Sequence, residues 1–280
     1  MNPEYYSRRH RMIALPCVRV RTDEAGGSGT IIYSKDGATY ILTNNHVVAD
    51  AIRIENKWSP LLKSMRKQDV FQSVSVEMFE YDYESRNIGG FSVQTDIMTY
   101  DKEEDLALLK LRTQRDFSDR VAALFPRGEE KRLRIGMPVL VVGAGMGEEP
   151  VQTAGFLSQF GQEIDLKEYW LNTAPSIYGN SGGAMFLADE DEFSLVGVPA
   201  RITVGMFGLD AITHLSFAIP MSRVYKFLEE QRFRFIYDKS FTEAGEAEER
   251  RRVREREEEK MAMGSMDAGP DSNSKRSLVP

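Results

Sequence analysis

The chain has 280 residues, 41% hydrophobic and 28% charged, which is enough to bury one large core or two modest ones. Its formal net charge of -7 excludes a general affinity for nucleic acid or anionic membrane, since both need clustered positive charge. Cys17 is the only cysteine, so no internal disulfide forms, and no run approaches the ~20 apolar residues of a membrane span.

Near the start, Ser7-Arg8-Arg9 and Ala14-Leu15-Pro16-Cys17 look like fragments of export signals. The apolar run from Met12 to Val18 is broken by Pro16 and ends at Arg19, too short for the core of a leader. The expectation is therefore a cytoplasmic protein. Short β-rich runs follow at 18–20, 30–33, 39–43, 71–79, 91–98 and 106–111, with Lys35-Asp36-Gly37 as a hairpin turn. The segment 56–68 has no clear period and reads as a long loop. A second set of runs occupies 139–142, 155–159, 169–172, 185–187, 195–198 and 216–219. Antiparallel strands at such spacing predict barrels or sandwiches rather than a βαβ sheet. After Pro220 the period changes: Val224, Phe227 and Leu228 fall at i, i+3 and i+4, which predicts a helix packed on the second set of strands. From 243 to 260 the chain is mostly Glu and Arg, which allows a solvated helix but is too poor in apolar residues to make a core, and 261–280 reads as disordered.

Three short segments carry the chemistry: Thr43-Asn44-Asn45-His46-Val47-Val48, Asp105-Leu106-Ala107-Leu108 and Gly179-Asn180-Ser181-Gly182-Gly183. A serine hydroxyl attacks a carbonyl at neutral pH only when an imidazole takes its proton, the role open to His46. The imidazole needs a carboxylate to hold its tautomer and stabilise its transient charge. Asp105, directly before an apolar strand, is the best candidate, while its neighbours Glu103 and Glu104 read as solvated. A glycine-rich turn before the serine lets backbone amides, here those of Gly179 and Ser181, face a developing oxyanion.

These segments resemble the trypsin-like serine proteases of the Deg/HtrA type, which show Gly-Ser-Gly-x, Thr-Asn-x-His-Val-Val, Asp-[Ile/Leu]-Ala-[Leu/Val] and Gly-Asn-Ser-Gly-Gly in this order. Here Gly27-Ser28-Gly29-Thr30 supplies the first. Further matches are Ile135-Gly136-Met137-Pro138-Val139 onward to Ser158, and Ser216-Phe217-Ala218-Ile219-Pro220 against the family's Gly-Phe-Ala-Ile-Pro. The resemblance implies an all-β fold: a trypsin-like double β-barrel with a C-terminal helix and a charged tail. The protease domain would be 1–236, with barrels at about 17–125 and 130–220 and a closing helix at about 220–235. A charged, disordered tail would fill 237–280, too short for the PDZ domain that usually follows in the family. The activity implied is that of a serine endopeptidase acting on polypeptides through His46, Asp105 and Ser181, without metal or cofactor. Its oxyanion hole would be Gly179 and Ser181, and its specificity pocket Pro175, Ser176, Val198, Pro199 and Ala200. No acidic residue sits at Pro175, which disfavours cleavage after Lys or Arg. Self-association is left open.

Alternatives remain. Gly179-Asn180-Ser181-Gly182-Gly183 also fits the G-x-S-x-G elbow of α/β-hydrolase esterases, but that fold needs an acid and then a histidine after the serine, and only His214 follows. Gly143-Ala144-Gly145-Met146-Gly147 resembles a dinucleotide fingerprint, yet Glu148-Glu149-Pro150 stands where the phosphate-binding helix should begin, so a turn is expected. His10 and His214 belong to no metal-ligand spacing. The sharper rival is a catalytically inactive polypeptide-binding protein on the same fold.

Overall fold

A computed structural model describes residues 2–59, 64–189, 192–204 and 211–267. Helix α1 (Pro3–Ile13) opens it, capped by the Asn2 side chain, which accepts from the Glu4 and Tyr5 amides. Strands β1 (Cys17–Arg21), β2 (Gly26–Lys35) and β3 (Ala38–Thr43) lead into the short helix α2 (Asn45–Val48). Next come β4 (Ile52–Ser59), β5 (Ser64–Phe71), β6 (Val74–Tyr81), β7 (Asn87–Asp101) and β8 (Leu106–Leu111). The first closed barrel has the order β1-β2-β3-β8-β7-β6, all neighbours antiparallel. A second closed barrel combines β9 (Pro138–Gly143), β10 (Val151–Ile164), β11 (Lys167–Asn172), β12 (Ala184–Asp189), β13 (Glu192–Val204) and β14 (Ala211–Pro220), ordered β10-β11-β14-β13-β12-β9. The helix predicted after Pro220 is α3 (Met221–Glu230), whose Val224, Tyr225, Phe227 and Leu228 are buried.

The unbroken apolar runs of β3 and β8 follow from where these strands lie. Successive side chains on a strand point to opposite faces. In β3, Ile41 joins the interior of the first barrel, whereas Tyr40 and Leu42 join the core shared with the second barrel and α3. In β8, Ala107 and Leu109 face the first interior, and Leu106 and Leu108 the shared core. Both faces are covered, so the residues at 40–42 and 106–109 are apolar throughout. Each fully buried Leu or Ile stabilises the fold by about 1.5–3 kcal/mol.

The structure departs from expectation in two places. Within the segment 56–68, residues 56–59 and 64–68 are not loop but belong to the paired strands β4 and β5, outside both barrels, with Trp58 opposite Met65; 60–63 lie outside the described residues. Ile54, Trp58 and Met65 are all exposed; with no dry face to fill, the segment carries no period. Where a charged tail, at most a solvated helix over 243–260, is expected from 237 onward, the chain forms α4 (Glu243–Asp267), and this helix is docked. Its first turns lie against the first barrel: Glu243 accepts from Tyr40 Oη and Lys110 Nζ, both at 2.6 Å, and Glu246, 2% exposed, accepts from Arg234 Nε at 2.5 Å. Arg250 lies over the Phe233 ring, 4.0 Å from its centroid. Charged residues thus anchor the helix by pairing, which composition reads as solvation. Residues 268–280 of the expected tail lie outside the described residues.

Candidate active site

The register of β3 against β8 sets the first pair. Thr43 lies opposite Ala107, so the residues just after β3 stand beside those just before β8. His46 in α2 and Asp105 meet there. His46 Nδ1 is 2.8 Å from Asp105 Oδ2 and 3.0 Å from Oδ1, and the His46 amide also donates to Oδ1 at 3.0 Å. The imidazole side chain is 47% exposed and the carboxylate 17%, so the ring looks out of a site whose acid is mostly covered. With Nδ1 facing the carboxylate, that nitrogen carries the proton and Nε2 is left as the base. Asp105 has φ +53°, a left-handed backbone that a non-glycine residue adopts only where its surroundings impose it. Asn44 Nδ2 helps, donating to the Asp105 carbonyl at 2.8 Å.

Ser181 comes from the other barrel, on the turn between β11 and β12. The turn is wedged between the barrels, and two glycines permit it. Gly182 has φ +81°, and a Cβ there would meet the Ser28 carbonyl and Thr43 Oγ1 at 2.3 Å. Gly179 has φ +98°, and a Cβ there would meet the Ala144 carbonyl at 2.4 Å. Asn180 closes the turn: its Oδ1 accepts from the Ile177 amide at 2.9 Å. The Tyr178 carbonyl accepts from the Met146 amide at 2.7 Å. A trans peptide sends its C=O and the following N–H in opposite directions, so the Gly179 N–H points away from Met146. Among the described residues neither the Gly179 nor the Ser181 N–H donates to a protein acceptor. Nor does the Ser181 hydroxyl bond to His46; contacts of this kind are often long before substrate arrives.

Sequence reasoning missed Ser28, the joint of this turn. Its amide donates to the Ser181 carbonyl at 2.9 Å, its hydroxyl donates to the Gly179 carbonyl at 2.6 Å and accepts from the Ala144 amide at 2.7 Å, and its carbonyl accepts from Thr43 Oγ1 at 2.7 Å. Gly27-Ser28-Gly29 was visible as a motif, but its contacts span the two barrels and leave no local signal. After β9 ends at Gly143, Gly145–Gly147 forms a single 3₁₀ turn, with Met146 at φ +56°, rather than a phosphate-binding α-helix, and it backs onto Gly179.

Glu104 requires a correction. Rather than solvated it is buried, its side chain 7% exposed, with Lys167 Nζ 2.8 Å from Oε1 and Arg223 Nε 2.6 Å from Oε2. Burial alone would raise its carboxyl, but the hydrogen bonds from Lys167 and Arg223 prevail and hold it below the ordinary carboxylate range. Glu103, 86% exposed, is solvated as expected.

The segments expected to line a specificity pocket flank the serine turn. Pro175 is exposed, while Ser176, Val198, Pro199 and Ala200 are buried. The Pro199 carbonyl accepts from the Gly182 amide at 3.0 Å, and the Ser176 hydroxyl is 3.2 Å from that of Ser216. Arg201, next along β13, turns to Asp165 at 2.8 Å and lies over the Tyr169 ring. On the opposite side of Gly179 a cavity of about 510 Å³ is lined by residues including Arg19, Arg21, Gly27, Met146 and Tyr178. Among the described residues no His, Cys, Asp and Glu group could hold a metal ion.

Comparison with known proteins adds an independent line. The trypsin-like peptidase domain model matches residues 27–198. A probable periplasmic serine endoprotease DegP-like of Pseudomonas fulva is 34% identical over 207 residues, covering 73% of this chain and 34% of that protein. The serine protease Do-like HtrA of Lactococcus lactis subsp. cremoris is 27% identical over 216 residues, covering 73% and 44%. The chain thus spans between a third and a half of the length of these curated relatives. Among solved structures, the HtrA-type protease AlgW with tripeptide superposes with a TM-score of 0.57 at 22% identity, over 83% of this chain and 64% of that one. The serine endoprotease from Yersinia pestis gives 0.55 at 23%, over 81% and 65%. At such identities these two speak for the fold.

Proposed function

The chain belongs to the trypsin-like peptidase family, and on that premise we propose that it is a serine endopeptidase of the Deg/HtrA type acting on polypeptides. The observation that carries the reading is the His46–Asp105 pair on one barrel, with the glycine turn that carries Ser181 packed against Thr43 and Asn44, the residues that lead into His46, and the Gly179 and Ser181 amides without a protein acceptor among the described residues. In this reading Ser181 Oγ attacks the peptide carbonyl carbon while His46 Nε2 takes its proton, and Asp105 stabilises the resulting imidazolium. The Gly179 and Ser181 amides receive the oxyanion, each such donor contributing about 3 kcal/mol to the transition state. His46 then returns the proton to the leaving amine as the C–N bond breaks, and water releases the acyl group by the same steps in reverse. The cavity beside Arg19, Arg21 and Gly179 offers room for residues after the cut.

Before the cut the chain should prefer small or medium apolar residues, because Pro175, Ser176 and Val198 to Ala200 offer no charge and Arg201 is engaged by Asp165. The α/β-hydrolase alternative falls with the two-barrel fold. Against an inactive binding protein stands the His46–Asp105 contact, with Nδ1 2.8 Å from the carboxylate. Labelling of Ser181 by a fluorophosphonate, together with casein cleavage, tests the proposal; an unlabelled serine would favour the binding protein. Mass spectrometry of the casein fragments checks the preference, and a majority of cuts after Lys, Arg, Asp or Glu would refute an apolar pocket.

A further inference from the structure

The Glu104–Arg223 contact lies one residue from the triad acid, and it reaches further than an ion pair. Arg223 Nε donates to Glu104 Oε2 at 2.6 Å, and Nη2 donates at 3.1 Å to the Glu104 carbonyl, the oxygen of the peptide that leads into Asp105. Arg223 is itself held on the second barrel: Nη1 donates to the Glu168 carbonyl at 2.9 Å, and the guanidinium lies 5.0 Å from the Tyr169 ring centroid. Lys167 Nζ completes the carboxylate's partners at 2.8 Å. The Arg223 side chain is 11% exposed and that of Glu104 7%. Asp105 is therefore gripped on both flanks, by Asn44 from its own barrel and by Arg223 from α3, and its left-handed φ of +53° is what those two grips impose.

We propose that Glu104 and Arg223 are positioning residues for the triad acid: a clasp between the barrels that fixes the peptide plane before Asp105 and makes the seating of His46 depend on the docking of the barrel that carries Ser181. The inference rests on the proteolytic reading of the site. An ion pair kept for stability alone would need the carboxylate and the guanidinium, but not the second bond to the backbone carbonyl. Loosening the clasp lets Asp105 relax from its strained backbone, and a displacement of about 1 Å at a catalytic group costs up to about 100-fold in rate.

The experiment compares Glu104→Gln, Arg223→Lys and the control Glu103→Gln by steady-state cleavage of a peptide substrate over pH, by thermal melting, and by the ¹H resonance of the His46 Nδ1 proton. Glu104→Gln is expected to lower kcat about 10- to 100-fold with KM nearly unchanged. It should also move the acid limb of the rate profile to lower pH, because the imidazolium loses part of its carboxylate partner. Arg223→Lys, which keeps the charge but loses the fork and with it the bond to the Glu104 carbonyl, should lower kcat at least as much and serves if Glu104→Gln does not fold. Glu103→Gln should leave all readouts in place. A lowered melting temperature with kcat, the acid limb and the Nδ1 resonance all unmoved would overturn the clasp. If the unsubstituted protein neither labels nor cleaves, the proteolytic reading fails; the clasp is then judged by the Nδ1 resonance, which must persist in the parent and be lost or displaced in the variants.

Discussion

Two charged clusters are seated on the first barrel, and they differ in what surrounds them. At the cleft, His46 and Asp105 form a contact open on one side, with the imidazole 47% exposed and the acid in a strained backbone. Under α4, Glu243 and Glu246 close over Tyr40, Lys110, Arg234 and a group of aromatic rings, Tyr33, Tyr40, Phe233 and Phe235, with centroids 5.1–6.0 Å apart. The first arrangement leaves a nitrogen free to move a proton; the second pairs its carboxylates with Lys110, Tyr40 and Arg234 and covers apolar surface. Substitutions at the cleft should therefore change rate and spare stability, and those under α4 should do the reverse.

The strongest attempt to break that contrast is Ser181→Ala, which should reduce turnover of casein on the order of 10⁶-fold while leaving the thermal melt unchanged. Comparable turnover in the variant would remove Ser181 from the mechanism. Asp105→Asn comes next: it keeps the shape but favours the wrong imidazole tautomer, and about 10⁴-fold in turnover should be lost. Its melting temperature should hold or rise slightly, since the buried-side charge at a strained position is gone; a collapse of the fold would show that the cleft pair is structural.

Under α4 the expected effects are smaller and of the other kind. Composition alone predicts that truncation after Tyr237 changes nothing, whereas the docked helix predicts a loss of about 2–3 kcal/mol, as Lys110 and Arg234 lose their partners and the aromatic group is uncovered. That corresponds to a melting temperature lower by about 5–10 °C. Casein cleavage well below the melt should be retained. An unchanged melt would return the tail to a solvated role.

The smallest effect concerns pH. Burial would raise the Glu243 carboxyl, but its hydrogen bonds from Lys110 and Tyr40 prevail and hold it below its ordinary value of 4.5. A carboxyl lowered in the fold contributes stability that is complete above 4.5 and is lost as pH falls through the lower, folded value. Amide protection in α4, measured against the intrinsic exchange rate at each pH, should fall as pH drops below 4.5, ahead of any loss in β3 and β8. Glu243→Gln should weaken the docking at neutral pH and flatten this dependence. A uniform loss of protection across α4 and the barrels would mean that the helix is no separate unit.

Much of the fold was legible because barrel strands obey local rules. The Asp36-Gly37 turn, with both residues at positive φ, and the apolar runs at 39–43 and 106–111 carry their own signals. His46, Asp105 and Ser181, the proposed triad, were legible for a different reason: each sits in a short segment whose residue types match the chemistry proposed for it. What escaped had no local signature. Glu104 stands beside an exposed Glu103 and differs from it only by what lies across the barrel boundary, Lys167 and Arg223, 63 and 119 residues away. Ser28 binds residues 116 to 153 positions distant.

The sequence by itself determined which residues are candidates for the chemistry, where the strands turn and which runs stay dry, because these follow from side-chain type and from periods of two or four residues. Only the tertiary structure decided which carboxylates are solvated and which are clasped, and that a run rich in Glu and Arg would dock on a barrel as a helix. Whether a charge is buried depends on the partner brought to it, and the fold alone supplies the partner.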